Sequence, residues 1–309
     1  MPFTAKSGKF NASINVVEFG TGDKAVKIGG ENVFPLYSFD AAIENAPKVG
    51  IEITDFGMEH EPECIKKYYE GCATLADMAR KAASMEGVDF LSFRMEGGDP
   101  NGANKSTEEL IGELKEIADA VDLPLVVCGC KNVEKDAELF SKAAEALNGK
   151  NAVILSAKEE NYKTVGAAAG LAYKQIVGAE SAVDINLAKQ LNVLISQLGV
   201  DSKSVVMNVG SAAVGYGFEY VISTMDRVKA AALQQGDANL QMPIITPVAE
   251  EAWNVKEAMA SEDDMPEWGN QEERGIGMEV STAASVLACG SNAVILKHPT
   301  SVATISKLI

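Results

Sequence analysis

The sequence predicts an α/β fold, a (β/α)8 TIM barrel with an N-terminal β-hairpin extension, and three observations point to it. From about residue 49 short β-rich runs alternate with helical stretches in which apolar residues recur at three and four positions. Eight such runs occur, spaced by roughly 35 residues, the size of one βα unit. Strict alternation implies parallel strands with right-handed crossovers, and eight units close into a barrel, whereas a doubly wound open sheet more commonly stops at about five to seven strands. Finally, two β-rich runs before residue 30 flank a cluster of turn residues, a hairpin signal outside the barrel pattern. The expected division is residues 1–48 for a hairpin extension packing on the barrel and residues 49–309 for the barrel.

The hairpin strands are expected at Ser13–Phe19 and Lys24–Ile28, around Gly20-Thr21-Gly22-Asp23 and ending in Gly29-Gly30. This makes the hairpin a candidate plug for the barrel bottom. The barrel strands follow at Val49–Thr54, Phe90–Arg94, Leu125–Cys130, Ala152–Ala157, Ile176–Ala179, Ser204–Val209, Ile244–Thr246 and Ala293–Leu296. Between them the 3.6-residue pattern places helices at Glu63–Met85, Thr107–Ala120, Val133–Ala146, Tyr162–Tyr173, Ile185–Leu198, Phe218–Gln235 and Glu272–Leu287. One connection is irregular: residues 247–271 are acidic, too long for an ordinary loop, and contain Trp253, Trp268, Met259 and Met265. Two readings stay open there, a contact surface for a protein or ligand and a local helix docking these residues onto the barrel rim.

Of 309 residues 47% are hydrophobic and 23% charged, enough apolar material for a large core. Twenty-seven basic against 44 acidic side chains leave a net charge of -17, which repels a phosphate backbone and argues against nucleic acid as a partner. No apolar run approaches the roughly 18 residues of a membrane span, and Met1–Phe10 lacks the apolar stretch of a signal peptide, so a soluble, cytoplasmic protein is expected. The five cysteines, Cys64, Cys72, Cys128, Cys130 and Cys289, form no Cys-x-x-Cys pair, which argues against a disulfide framework or a metal cluster. Cys128 and Cys130, two apart in a predicted strand and so on one face, read as small buried hydrophobes, with a metal or redox role as the alternative.

In a barrel the ligand face is built at the C-terminal ends of the strands. That rim holds Thr54, Asp55, Arg94, Glu96, Asp99, Lys131, Asn132, Lys158, Asn161, Glu180, Asn208, Gly210, Ser211, Thr246, Lys297 and His298. With only His60 and His298 in the chain, a His-rich metal site cannot be assembled. His60 reads as a loop residue, and His298 as a rim residue whose default role is helix capping. The segment Asn208 to Gly217 is rich in Gly, Ala and Ser; it is neither a P-loop nor a dinucleotide fingerprint. Small residues there lower the wall for a broad, flat ligand, or simply make a tight strand-to-helix turn. Lys158 and Lys297 sit where a barrel can use a Schiff-base lysine, although Glu159 and Glu160 favour a charged ammonium at Lys158.

Several segments carry a family resemblance. Lys27-Ile28-Gly29-Gly30-Glu31-Asn32-Val33-Phe34-Pro35, leading through Tyr37-Ser38-Phe39-Asp40 to Ile51-Glu52-Ile53-Thr54-Asp55, resembles the opening of the corrinoid iron–sulfur protein small subunit, whose archaeal relative is the delta subunit of acetyl-CoA decarbonylase/synthase. The likeness continues through Phe93 to Pro100, Leu125 to Cys130 and Asn208-Val209-Gly210, over nearly the whole chain. It implies a barrel related to methyltetrahydrofolate:corrinoid methyltransferases, paired with a large subunit that carries a four-iron four-sulfur cluster and a cobamide-binding domain. It further implies methyl transfer in the reductive acetyl-CoA (Wood–Ljungdahl) pathway, with acetyl-CoA synthase/CO dehydrogenase as acceptor. In this reading Asn208, Gly210, Ser211, Ala212 and Gly215 floor a cap over the corrin. Asp99 and Asn132 join them because the related methyltransferases bind a pterin with Asp and Asn on this rim, and His298 completes the candidate cofactor contacts. A free-standing pterin-dependent methyltransferase and a Schiff-base aldolase are the alternatives.

Overall fold

The computed structural model describes residues 8–309. Two short strands, β1 (Val17–Phe19) and β2 (Val26–Ile28), form the antiparallel hairpin, with Val17 opposite Ile28. They are shorter than the sequence pattern suggests, because Gly20, Gly29 and Gly30 all take positive φ and end the ladder on both sides. Glu18 and Lys27 pair across the outer face at 3.4 Å, while Val17, Phe19, Val26 and Ile28 are buried.

Eight parallel strands follow: β3 (Lys48–Thr54), β4 (Phe90–Arg94), β5 (Leu125–Cys128), β6 (Val153–Ala157), β7 (Ile176–Glu180), β8 (Val205–Asn208), β9 (Ile245–Pro247) and β10 (Ala293–Leu296). They pair in the order β8-β7-β6-β5-β4-β3-β10-β9, and a parallel bridge between Met207 and Ile244 closes the ring. This is the predicted (β/α)8 barrel. Helices cover its outside: α1 (Glu63–Lys66), α2 (Leu75–Ala83), α3 (Thr107–Ala120), α4 (Val133–Ala146), α5 (Tyr162–Val165), α6 (Ile185–Gln197), α7 (Phe218–Leu233), α8 (Ala249–Trp253), α9 (Lys256–Met259), α10 (Gln271–Ala288) and α11 (Pro299–Ser306).

Three expectations are corrected. The helix expected over Glu63–Met85 breaks at Gly71 (φ 85°) and restarts at Thr74, which forms a capping box with Asp77. Tyr162–Tyr173 is a single α-turn followed by a π-helix over Gly166–Ala172, where Val200 packs so close that a Cβ on Gly170 would lie 2.7 Å from it. The third barrel strand stops at Cys128 instead of Cys130. Cys128 therefore joins the barrel-interior cluster, whereas Cys130 packs in the layer between strands and helices, and the two do not share a face.

Period-two alternation divides the core into those two layers. Val49, Ile51, Leu91, Phe93, Val127, Ile154, Val177 and Val294 face the helices. Phe90, Val126, Val153, Ile176, Val206, Ile245 and Ile295 fill the barrel together with the four apolar hairpin residues. Phe19 meets Phe90 edge-on at 5.5 Å, and Gly50 leaves the room: a Cβ there would lie 2.1 Å from the Phe90 ring. Along the strands the inward positions change character, from Gly50 to Glu52 and Thr54, from Phe90 to Ser92 and Arg94, from Val206 to Asn208. Apolar filling at the bottom gives way to polar groups at the mouth, which places the candidate site there.

Candidate functional site

The mouth holds a cavity of about 260 Å³ whose lining includes Arg94, Lys131, Ser156, Lys158, Glu180, Asn208, Gly210, Ser211, Glu250 and Glu251. Arg94, at the end of β4, is its organising residue. Its guanidinium donates to Glu52 of β3 through Nη2 at 3.0 Å and Nε at 3.2 Å, and reaches Glu250 of α8 through Nη1 at 3.1 Å. Both Arg94 and Glu52 are buried. Burial opposes the charge on Arg94, but the carboxylates of Glu52 and Glu250 outweigh it and hold the guanidinium protonated. Lys131 extends the cluster to Glu250 at 2.7 Å and Glu251 at 3.4 Å. Burial likewise raises the Glu250 carboxyl, yet Arg94 and Lys131 together bring it below the usual carboxylate range. The helix that begins the irregular connection is thus tied across the mouth by ion pairs.

On the other side of the cavity Lys158 pairs with Glu180 at 3.2 Å. Between β6 and β7 the register slips at Leu155 and Ser156, and such a bulge re-aims the side chains it carries. Asn208 donates through Nδ2 to Ser156 Oγ at 3.1 Å and accepts the Gly210 N–H on Oδ1 at 3.1 Å, so its amide is held at both ends. Gly210 sits at φ 97°. The Ser211 hydroxyl is buried and has no partner among the described residues. Asp136 also lines the cavity, accepting the Cys130 N–H at 2.7 Å; a Cβ on Gly129 would lie 2.2 Å from its Oδ1, so only glycine fits there. Burial pushes Asp136 above its ordinary value.

Of the residues singled out in sequence, Asn208, Gly210 and Ser211 come together in the cavity. Ala212 and Gly215 lie on the same loop but outside its lining, Ala212 half-buried and Gly215 exposed with open space around it. Asp99 and Asn132 do not line it either. Asp99 closes a turn by accepting the Asn101 N–H, and Asn132 caps α4 by accepting the Lys135 N–H. His298 is fully buried: its Nδ1 accepts the Thr300 N–H at the start of α11, its ring stacks on Trp253 at 5.8 Å, and Nε2 lies 3.2 Å from Glu272. Burial lowers its pKa to about 4. Sequence reasoning missed Glu52, Ser156, Asp136, Glu250 and Glu251. A carboxylate at an inward position of an otherwise apolar strand was the available signal for Glu52.

Lys297 donates to Glu61 at 2.9 Å. Burial disfavours its charge, but Glu61 and Glu52 prevail and raise its pKa, the opposite of what a Schiff-base amine needs. Burial pushes the thiols of Cys128 and Cys130 up to about 12, which keeps them protonated and inert. In the irregular connection Trp253 is buried against His298 and docks α8 on the rim. The cations of Lys256 and Arg274 lie over the Trp268 ring, at 5.4 and 5.7 Å, and Met259 is exposed. Docking and surface exposure thus fall to different residues of the same segment. No described helix is long and apolar enough to cross a membrane.

Comparison with known proteins bears on this site. A family model described as CO dehydrogenase/acetyl-CoA synthase delta subunit matches residues 16–296. The acetyl-CoA decarbonylase/synthase complex subunit delta of Methanopyrus kandleri is 33% identical, over 91% of this chain and 68% of its own length. The corresponding subunit of Methanocaldococcus jannaschii is 30% identical over 97% of this chain and 74% of its own. Subunit delta 1 of Methanosarcina thermophila is 30% identical over 94% of this chain, which spans 66% of that longer relative. Among solved structures, dihydropteroate synthase from Burkholderia cenocepacia superposes with a TM-score of 0.54 at 12% identity, covering 96% of this chain and 95% of its own. Dihydropteroate synthase from Thermus thermophilus does so with the same score and identity, over 94% and 98%. These two likenesses concern the barrel alone.

Proposed function

Because the chain belongs to the CO dehydrogenase/acetyl-CoA synthase delta subunit family, we propose that it is the small subunit of a corrinoid iron–sulfur protein, capping with its barrel mouth a cobamide held mainly by a large subunit. That large subunit also carries the four-iron four-sulfur cluster. The pair takes a methyl group from methyltetrahydrofolate:corrinoid methyltransferase and delivers it to acetyl-CoA synthase/CO dehydrogenase in the reductive acetyl-CoA pathway, in the cytoplasm. A corrin is wide, flat and fringed with amides, so a cap needs low walls and a few unengaged polar groups. The loop after β8 fits those needs: Gly210, Ser211 and Ala212 are small, and the Ser211 hydroxyl is without a partner among the described residues. That orphaned hydroxyl on a small-residue rim is the observation that carries the reading.

The chemistry a cobamide supplies when bound is reversible acceptance of a methyl group at cobalt. This chain contributes placement and access. Asn208, fixed by Ser156 and the Gly210 N–H, presents a pre-oriented amide, and Ser211 offers a hydroxyl to a peripheral amide. Helix α8, tied by Glu250 to Arg94 and Lys131, keeps water from the floor of the mouth.

Co-expression with the large subunit, purification and a visible spectrum test the proposal. The expected result is a stable heterodimer with corrinoid absorption; absence of both defeats it. Ala212→Trp is the better probe of the cap than any change at Gly210, whose positive φ strains every other residue. In the heterodimer Ala212→Trp should speed oxidation of reduced cobalt several-fold while the fold persists. Tight binding of methyltetrahydrofolate by the isolated chain would instead favour the free-standing methyltransferase, and borohydride trapping at Lys158 or Lys297 the aldolase.

A further inference from the structure

We propose a second ligand site, at the opposite end of the barrel from the mouth, for a neutral and largely apolar molecule with one N–H or O–H donor, the size of an indole. Pro47 directly precedes β3 and Asn292 directly precedes β10, so the cavity they line lies at the N-terminal ends of the strands. It measures about 280 Å³, and Phe34, Leu36, Ile43 and Leu287 give it apolar walls. An engineered apolar cavity of roughly 150 Å³ holds a benzene ring. Nearly twice that volume suits a bicyclic aromatic. Leu36 and Phe39, 71% and 78% exposed, give an apolar approach.

Glu31 decides the polarity of the ligand. Among the described residues it is the one ionisable side chain in the lining, and it is itself 8% exposed. Its Oε1 accepts from Lys229 Nζ at 2.7 Å and from Asn292 Nδ2 at 2.8 Å. Its Oε2 is buried and has no partner among the described residues. Lys229, fully buried, already balances the charge, so a second cation has nothing to neutralise while a neutral donor satisfies the idle oxygen. The Gly-Gly-Glu segment ending in Glu31 was prominent in the sequence, and the mouth makes no use of it.

Titration of the full chain with indole and with 1-methylindole, followed by ligand-detected NMR, tests the site. Indole should bind saturably at one place, and 1-methylindole, which lacks the donor, about tenfold more weakly. Tryptamine, which carries a charged ammonium, should bind no better than indole. Ala46→Trp, which fills the cavity from the exposed edge of its lining, should abolish indole binding while the circular dichroism spectrum and thermal midpoint stay unchanged. Equal affinity for indole and 1-methylindole, a clear preference for tryptamine, or indole binding that survives in a folded Ala46→Trp chain would each overturn the proposal.

Discussion

The two ends of the barrel are closed in opposite ways. At the bottom the hairpin inserts Val17, Phe19, Val26 and Ile28 among strand residues, and its inner face closes the barrel by apolar packing. At the mouth α8 is held by Glu250 on Arg94 and Lys131, and closure comes from ion pairs between groups that can find other partners. Packing is non-directional and carries no titrating group; ion pairs are directional, titrate and are screened by salt. One end is suited to permanence, the other to opening.

The contrast can be broken by experiment. The largest effect is expected at the bottom: Phe19→Ala removes the edge-on contact with Phe90 and leaves a cavity, costing about 4 kcal/mol in urea denaturation. A loss below about 1 kcal/mol would mean the hairpin merely rests on the barrel. Next comes pH. His298 titrates at 6.5 in the unfolded chain and at about 4 when folded, so the unfolded state binds the extra proton first. Its contribution is complete above pH 6.5 and is lost as pH falls towards 4, amounting to up to about 3 kcal/mol. His298→Asn keeps a capping side chain and should flatten the pH dependence of stability in that window. An unaltered slope would assign the dependence to other groups. The smallest effect is Glu250→Gln, which should cost about 1 kcal/mol or less because the pair is partly solvated. Hydrogen exchange should nevertheless quicken in α8 and stay unchanged in β1 and β2, and raising the salt concentration should have the same local effect in the unmodified chain.

The difference between the ends also explains what was legible in the sequence. The bottom follows from local pattern: alternation in Val17-Glu18-Phe19 and Val26-Lys27-Ile28 assigns one face to the core, and the ladder ends where glycine takes positive φ. The eight strands are legible for the same reason. The mouth depends on pairings between distant parts of the chain. Arg94 was visible as a rim residue, but nothing near it in sequence indicates Glu250, which arrives on a helix late in the chain. Asn208, Gly210 and Ser211 were found because they share one loop. Asp99, Asn132 and His298 share the rim in sequence only, and each is occupied by a local turn or helix cap that satisfies a backbone N–H before any ligand arrives.

The ring of strands has one thin seam. Between β8 and β9 a lone bridge from Met207 to Ile244 stands where other neighbours share ladders of three to five residue pairs. The small-residue loop hangs from one lip of that seam and α8 from the other. Like the slit in a cuff, it is where the cylinder would open at the cost of one bridge, with the remaining seven joints fastened.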